Sequence, residues 1–237
     1  MPMMHTINML GLFGASSYVA ARMARASGLA AFHRYAILAQ PRAGLPSMPR
    51  GHQVTQLNPA ELSGYAVDAS PAVQALRFGA GLSCLGVFDP KDKLTGLVWL
   101  GTGSYREDEV EVCFRLPPEG CWDTGLWIAP QHRLGRSFAA LWAGVGLWME
   151  QRGYTHSFSR IADYNLPALN AHRRMGGVVV AHHSFMQAGA WQWSLTTRPR
   201  LIRLGSPRGV AELDLGGLLP APAPSADLRR DDFLRAA

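Results

Sequence analysis

Residues Trp122 to Gly177 constrain the fold of this chain more than any other stretch. They read W-D-T-G-L-W-I-A-P, then Q-H-R-L-G-R-S-F-A-A-L-W, then a long helical pattern, then S-F-S-R-I-A-D-Y-N-L-P-A-L-N-A-H-R-R-M-G-G. The first piece is a short apolar run ended by Pro130, as in a buried strand. Phe138, Leu141, Trp142, Val145, Trp148 and Met149 follow at helical spacing, and Gly153 closes that helix. Tyr154 to Ile161 reads as a second strand, and Asn165 to Met175 as a second helix closed by Gly176-Gly177. Strand, basic turn, helix and strand make a βαβ unit, whose crossover is expected to be right-handed.

The turn carries the chemistry. A helix N-terminus presents unpaired backbone N–H groups and a partial positive charge, so it binds phosphate readily. Arg133, Gly135, Arg136 and Ser137 lie at that turn, two of them cationic and one able to bring backbone close to a ligand. Their spacing suits a diphosphate. A strand, a Gly turn and a helix also occur in folds that bind nothing there.

At these residues the chain resembles the GNAT superfamily of acyl-CoA-dependent N-acyltransferases. Ile128-Ala129-Pro130, Arg133, Asn165 and Met175-Gly176 fall in the register of that family's strand, Arg-Gly turn, helix, strand and Asn-led second helix. The likeness covers roughly residues 50–200. Leu134, Arg136 and Phe138 stand at three loop positions that the family fills with Gly or Ala, and Gly135 is displaced by one. The resemblance implies an α+β fold: a mixed central sheet of about six or seven strands, flanked by helices. It also implies acyl-CoA as co-substrate, with the backbone of Leu126, Trp127 and Ile128 along the pantetheine arm and Asn165 further along the cofactor.

Composition narrows the partners. The chain has 237 residues, 48% apolar and 17% charged, and a net charge of +6, which suits an anionic ligand or surface. Basic residues are scattered, and no zinc-finger, RNA-recognition or helix-turn-helix pattern appears, so no nucleic-acid partner is expected. Cys84, Cys113 and Cys121 lack C-x-x-C spacing and read as reduced core residues of a cytoplasmic protein. His182-His183 sits in an apolar run without further ligands at metal spacing, so no metal is expected.

In chain order, residues 1–40 are apolar with Arg22, Arg25 and Arg34 late in the run, the wrong order for a secretory signal. The segment reads as an amphipathic helical extension. It would contact the inner membrane face peripherally, or pack on the domain or on a second subunit of a homodimer. Residues 41–50, with Pro41, Pro46 and Pro49, read as a linker. The acyltransferase-like domain occupies residues 51–200. Within it come a strand at His52–Leu57, a turn into a helix at Asn58-Pro59-Ala60-Glu61, a helix opened by Ser70-Pro71, and a hairpin from Leu82 to Leu100. Glu109 to Leu116 alternates as a half-exposed strand, and Val178–Phe185 and Trp191–Leu195 are the last two strands. Residues 201–237, with P-A-P-A-P near the end, read as irregular or disordered.

N-acyl transfer needs a neutral amine, a donor for the oxyanion, a proton for the leaving thiolate, and both substrates held together. Three residues are candidates. His172 stands where the family often carries the Tyr that protonates the thiolate; otherwise H-R-R is an ordinary basic helix face. Asp123, on the strand before the turn, lies close to where the family often carries a general base; otherwise it is a carboxylate capping a strand end or pairing with Arg160. Glu111, on a polar strand face, is the third. The resemblance extends to a proteobacterial branch linked to lipid or envelope synthesis, including bacterial ceramide synthase-like proteins. That implies a long-chain sphingoid-type amine as acceptor. An acetyltransferase for an amino sugar or small amine, and a catalytically degenerate CoA-binding module, are the alternatives.

Overall fold

The computed structural model describes residues 16–24, 26, 28–107, 109–133, 135–205 and 210–219. Leu134, the first fifteen residues and the Pro-Ala tail from residue 220 onward lie outside them, together with what the sequence led us to expect of each. The expected mixed sheet flanked by helices is present. Among the described residues it has nine strands in the order β11-β10-β9-β1-β8-β7-β4-β3-β2, and a second sheet runs β12-β6-β5.

Helical residues 16–24 (α1) lead into β1 (Ala30–Pro41). Here the structure departs from the sequence reading: residues 30–40 are a strand rather than part of a helix. β1 runs antiparallel between β8 (His156–Ala162) and β9 (Val178–Ala188), pairing Tyr35 with Ala162 on one edge and with His183 on the other. Tyr35 through Gln40 are all buried. Burial on both faces removes the alternation that marks a strand, and the two neighbours, distant in sequence, override the helical preference of an Ala-rich run. Residues 41–50 include a short 3-10 turn, Arg42–Gly44, packed against the long helix.

β2 (Gln53–Leu57), β3 (Ser83–Phe88) and β4 (Leu94–Thr102) form an antiparallel meander. α2 (Pro59–Leu62) starts with a capping box, in which Glu61 N–H donates to the Asn58 side chain and Asn58 N–H to the Glu61 carboxylate. The Ser70 hydroxyl accepts from Val73 N–H at the start of α3 (Pro71–Gly79). β5 (Ser104–Arg106) and β6 (Val112–Arg115) lead to β7 (Gly120–Ile128), followed by α4 (Ser137–Gln151), β8 and α5 (Leu166–Arg174). β9 and β10 (Trp191–Thr196) follow as expected. Beyond residue 200 the chain is more regular than its composition suggests. β11 (Leu201–Gly205) extends the large sheet and β12 (Ala211–Asp214) pairs with β6.

Each face of the sheet has its own core. α4 lays Ala140, Leu141, Trp142, Val145 and Met149 on Leu85, Val87, Val98 and Leu100. On the opposite face Trp122 lies between Tyr105 and Phe114, stacked at 5.1 and 4.7 Å. The small sheet thus covers the middle of the large one, and stacked rings contribute about 1 kcal/mol per pair beyond their buried area. Cys84 and Cys121 are buried and Cys113 partly so, all three as free thiols.

Candidate active site

The two parallel strands at the centre do not stay together. β7 and β8 pair from Gly120↔His156 to Asp123↔Ser159 and then part. Beyond the fork β7 keeps β4 on its other edge, with Leu97↔Trp127 and Gly96↔Ile128, while β8 keeps β1, with Ile37↔Arg160 and Tyr35↔Ala162. The β7–β4 register slips between Leu97 and Trp99. Opposite that slip Gly125 has φ +57°, the left-handed conformation that glycine adopts without strain. A Cβ at this position would collide with the Arg77 guanidinium, which lies 5.5 Å over the Trp99 ring. The bulge therefore aims the rest of β7 away from β8, leaving a strand edge without a strand partner among the described residues.

The fork opens into a cleft of about 330 Å³. Asp123 and Ser159 lie at the crotch. Thr124, Gly125 and Leu126 line one wall; Arg160, Ile161 and Ala162 line the other; Phe138 of α4, Asn165 just before α5 and His172 of α5 complete it.

Asp123 is 5% exposed and accepts a hydrogen bond from the Ser157 hydroxyl at 2.8 Å. Burial pushes its carboxyl up to about 7, against the lowering effect of the serine. Arg160 is engaged elsewhere, so the sequence-level alternative of an Asp123–Arg160 pair does not form. Its guanidinium bridges Glu107 at 2.8 Å and Glu109 at 3.1 Å and lies 4.1 Å over the Tyr35 ring. Burial opposes the Arg160 charge, but Glu107 and its neighbours outweigh it and hold Arg160 above its ordinary range. Burial also works against the Glu109 charge, and Arg160 with the Tyr35 hydroxyl outweighs it, holding that carboxyl below the usual range. The Tyr35 hydroxyl donates to Glu109 at 2.9 Å.

His172 is also buried, with its ring edge-on to Trp142 at 5.0 Å. Gln40 fixes its orientation. The Gln40 amide nitrogen donates to the Met175 carbonyl at 2.6 Å, which turns the amide oxygen toward His172 Nδ1 at 3.2 Å. Nδ1 therefore carries the hydrogen, and Nε2 is left as an acceptor. Burial pushes this imidazole down to about 4, so it is neutral at pH 7. In that state the ring neither gives nor takes a proton readily at pH 7, and its Nε2 is available as a hydrogen-bond acceptor.

Glu111 is not in the cleft. It pairs with Arg106 at 3.1 Å and lines a different pocket with Gln187, Gln192 and Arg203. Leu126 is on the cleft wall, whereas Trp127 and Ile128 lie beyond it on β7; the Ile128 carbonyl accepts from Arg133 Nε at 3.3 Å. Arg133 and Arg136 are both exposed before α4, which begins without a side-chain cap and with no acidic residue in its first turn. A Cβ on Gly135 would meet only the His132 carbonyl, at 3.3 Å, so that glycine is close-fitting rather than obligatory. Ser137 is buried at the helix start. Asn165 does cap α5, its side-chain oxygen accepting from Ala168 N–H at 3.4 Å, and it also lines the cleft.

Gly125 and Gln40 escaped the sequence reading as site residues, and Arg160 entered it only as a partner for Asp123. A glycine within an apolar strand is a bulge signal and could have marked the fork. Nothing local marks Gln40, which reaches His172 across 132 residues. Among the described residues no group of His, Cys, Asp and Glu is arranged to hold a metal ion.

No protein-family model matches the chain, and no match was found among curated proteins. Solved structures do resemble it. A tandem GNAT protein from the clavulanic acid biosynthesis pathway is 15% identical over 71% of this chain and 58% of its own, with a TM-score of 0.47. A GCN5-related N-acetyltransferase from Kribbella flavida is 16% identical over 78% of this chain and 63% of its own, with a TM-score of 0.44. One from Sphaerobacter thermophilus is 15% identical over 73% and 57%, with a TM-score of 0.45. The chain thus spans less than two thirds of the length of these three proteins. These likenesses concern the course of the backbone and carry no argument about activity.

Proposed function

We propose that the chain is an acyl-CoA-dependent N-acyltransferase that joins an acyl group to a primary amine within a ternary complex. The observation that carries this reading is the fork of β7 and β8 over a buried Asp123, with a cleft leading from it toward the N-terminus of α4. An extended arm bearing amide groups fits a strand edge that has lost its partner, because such an edge presents N–H and C=O groups in alternation. A diphosphate fits the uncapped start of α4 with Arg133 and Arg136 beside it. The residues present thus match the two polar parts of a CoA thioester.

The chemistry asks for one proton transfer at each end. The amine nitrogen bonds to the thioester carbonyl carbon, the C–S bond breaks, and the nitrogen gives up a proton while the sulfur gains one. Asp123, its carboxyl held at about 7, can take a proton and return it at neutral pH. His172 Nε2 can accept a hydrogen bond from a substrate group, and its sequence-based role as the acid for the thiolate would require the bound substrate to raise its proton affinity. Arg160 on the cleft wall is paired with both Glu107 and Glu109, so its positive charge is already matched and does not stand against a cationic acceptor.

A long-chain, sphingoid-type amine is the acceptor that the sequence resemblance favours. The apolar side chains of Leu126, Phe138 and Ile161 on the cleft wall support a greasy group on donor or acceptor. Native mass spectrometry with acetyl-CoA and palmitoyl-CoA in competition tests the reading, followed by a thiol-release assay against sphingoid amines and amino sugars. Palmitoyl-CoA preference would favour the lipid acceptor and acetyl-CoA preference the small amine. Failure to bind either would overturn the assignment.

A further inference from the structure

Among the described residues nothing covers the large sheet at one end. Residues opposite one another across strands share a face, and two rows cross the last strands in this way. Phe32, Met186, Trp193 and Leu204 form the first, and Arg34, Ser184, Leu195 and Ile202 the second. Met186, Trp193 and Leu204 are 43%, 44% and 53% exposed, and Leu195 and Ile202 are 53% and 75% exposed. Trp191, 51% exposed, continues the face next to Met186 and Trp193 along β10. Large apolar side chains are normally scattered singly over a surface; a contiguous block with tryptophans marks a contact.

Charge says what kind of contact. From Val178 to Val210 the chain contains four arginines and no Asp or Glu. Arg198 and Arg200 are exposed on the turn that joins β10 to β11, a few residues from the Leu195–Ile202 pair. The same turn is tied to β9 through Thr197 N–H donating to the His182 carbonyl at 3.0 Å, and His182 is exposed beside it. The acidic group near the face, Asp163, is taken up by Arg34 at 3.2 Å and by the Ser17 hydroxyl at 2.9 Å. A second copy of this chain would offer arginines to arginines across such a face, with no carboxylate from these strands to answer them.

We propose that the exposed face of β9, β10 and β11 docks the protein on an anionic lipid surface. The tryptophans sit at the headgroup level, Leu195, Ile202, Met186 and Leu204 enter the acyl boundary, and Arg198 and Arg200 meet the lipid phosphates. Only β1 separates β9 from β8 at the fork, but the docking uses none of the cleft residues and stands whether or not the cleft transfers acyl groups.

The test is co-sedimentation of the full chain with vesicles of equal parts phosphatidylglycerol and phosphatidylcholine, and with vesicles of phosphatidylcholine alone. Leu195→Glu with Ile202→Glu, and separately Arg198→Glu with Arg200→Glu, are compared with the unaltered chain, with circular dichroism and melting confirming that each is folded. All four positions are exposed, so folding should survive. The expected result is binding to the phosphatidylglycerol vesicles that drops at least tenfold in each double variant and weakens in high salt. No binding to those vesicles would overturn the proposal, and so would binding that both variants retain. Light scattering that shows a dimer abolished by Leu195→Glu with Ile202→Glu, without vesicle binding, would assign the face to a second copy instead.

Discussion

Asp123→Asn should make the protein more stable at pH 8 while impairing acyl transfer. The carboxyl group goes from an ordinary 3.8 to about 7 on folding, because its site beneath the fork is closed to water. Below about pH 4 both folded and unfolded chains hold the proton, and nothing is lost. Between pH 4 and 7 the folded chain holds a proton that the unfolded chain releases, so stability falls as pH rises, levelling off above 7. The full loss is on the order of 4 kcal/mol. Asparagine cannot ionise, and its carbonyl oxygen can still accept from the Ser157 hydroxyl. Urea unfolding followed by tryptophan fluorescence, run from pH 4.5 to 8.5 on both proteins, isolates this group because the other titrating residues cancel in the difference. The variant should match the parent at the acid end and gain steadily toward pH 8. A gain of that size would raise the melting temperature by roughly 8–16 °C in a chain of this length. A difference that does not change with pH, or a variant less stable at pH 8, would refute the argument that burial of an ionised Asp123 strains the fold.

Three further outcomes follow from the same geometry. Gly125→Ala places a side chain where φ is +57° and where the Arg77 guanidinium lies, so it should cost about 1–3 kcal/mol in chemical denaturation and abolish CoA binding in calorimetry. Arg136→Ala should weaken CoA binding more at low than at high salt, since the contact proposed for it is electrostatic and the residue is exposed. His172 and His183 are both held at about 4 by burial, so the folded chain disfavours their protonation. Their contribution to stability is complete above about pH 6.5 and is lost as pH falls toward 4. His172→Phe should reduce that acid sensitivity in pH-dependent melting and lower turnover with little change in CoA affinity.

Much of the site was legible because the residues that build it are close in sequence. Pro130, the arginines, the apolar spacing of α4 and the Asn165 cap are local signals, and each appears where its pattern puts it. Asp123, His172, Leu126 and Asn165 converge on one cleft because a parallel pair joined by a helix brings the ends of both strands together. Glu111 did not converge. Of the strand expected from Glu109 to Leu116 only Val112–Arg115 forms, with Glu111 in the bend before it; alternation also cannot say which sheet a strand joins, and β6 pairs with β5 and β12 in the smaller one.

The sequence by itself determined the βαβ unit, the helix caps and most strand positions, because capping, turns and periodicity are decided within a few residues. Only the tertiary structure decided that residues 30–41 are a strand, since the partners that hold β1 lie more than 100 residues away and bury both of its faces. It alone decided the protonation of the site as well. An aspartate and a histidine have ordinary affinities for protons in any sequence; here closure of the fold around the fork removes their water and pushes the two in opposite directions.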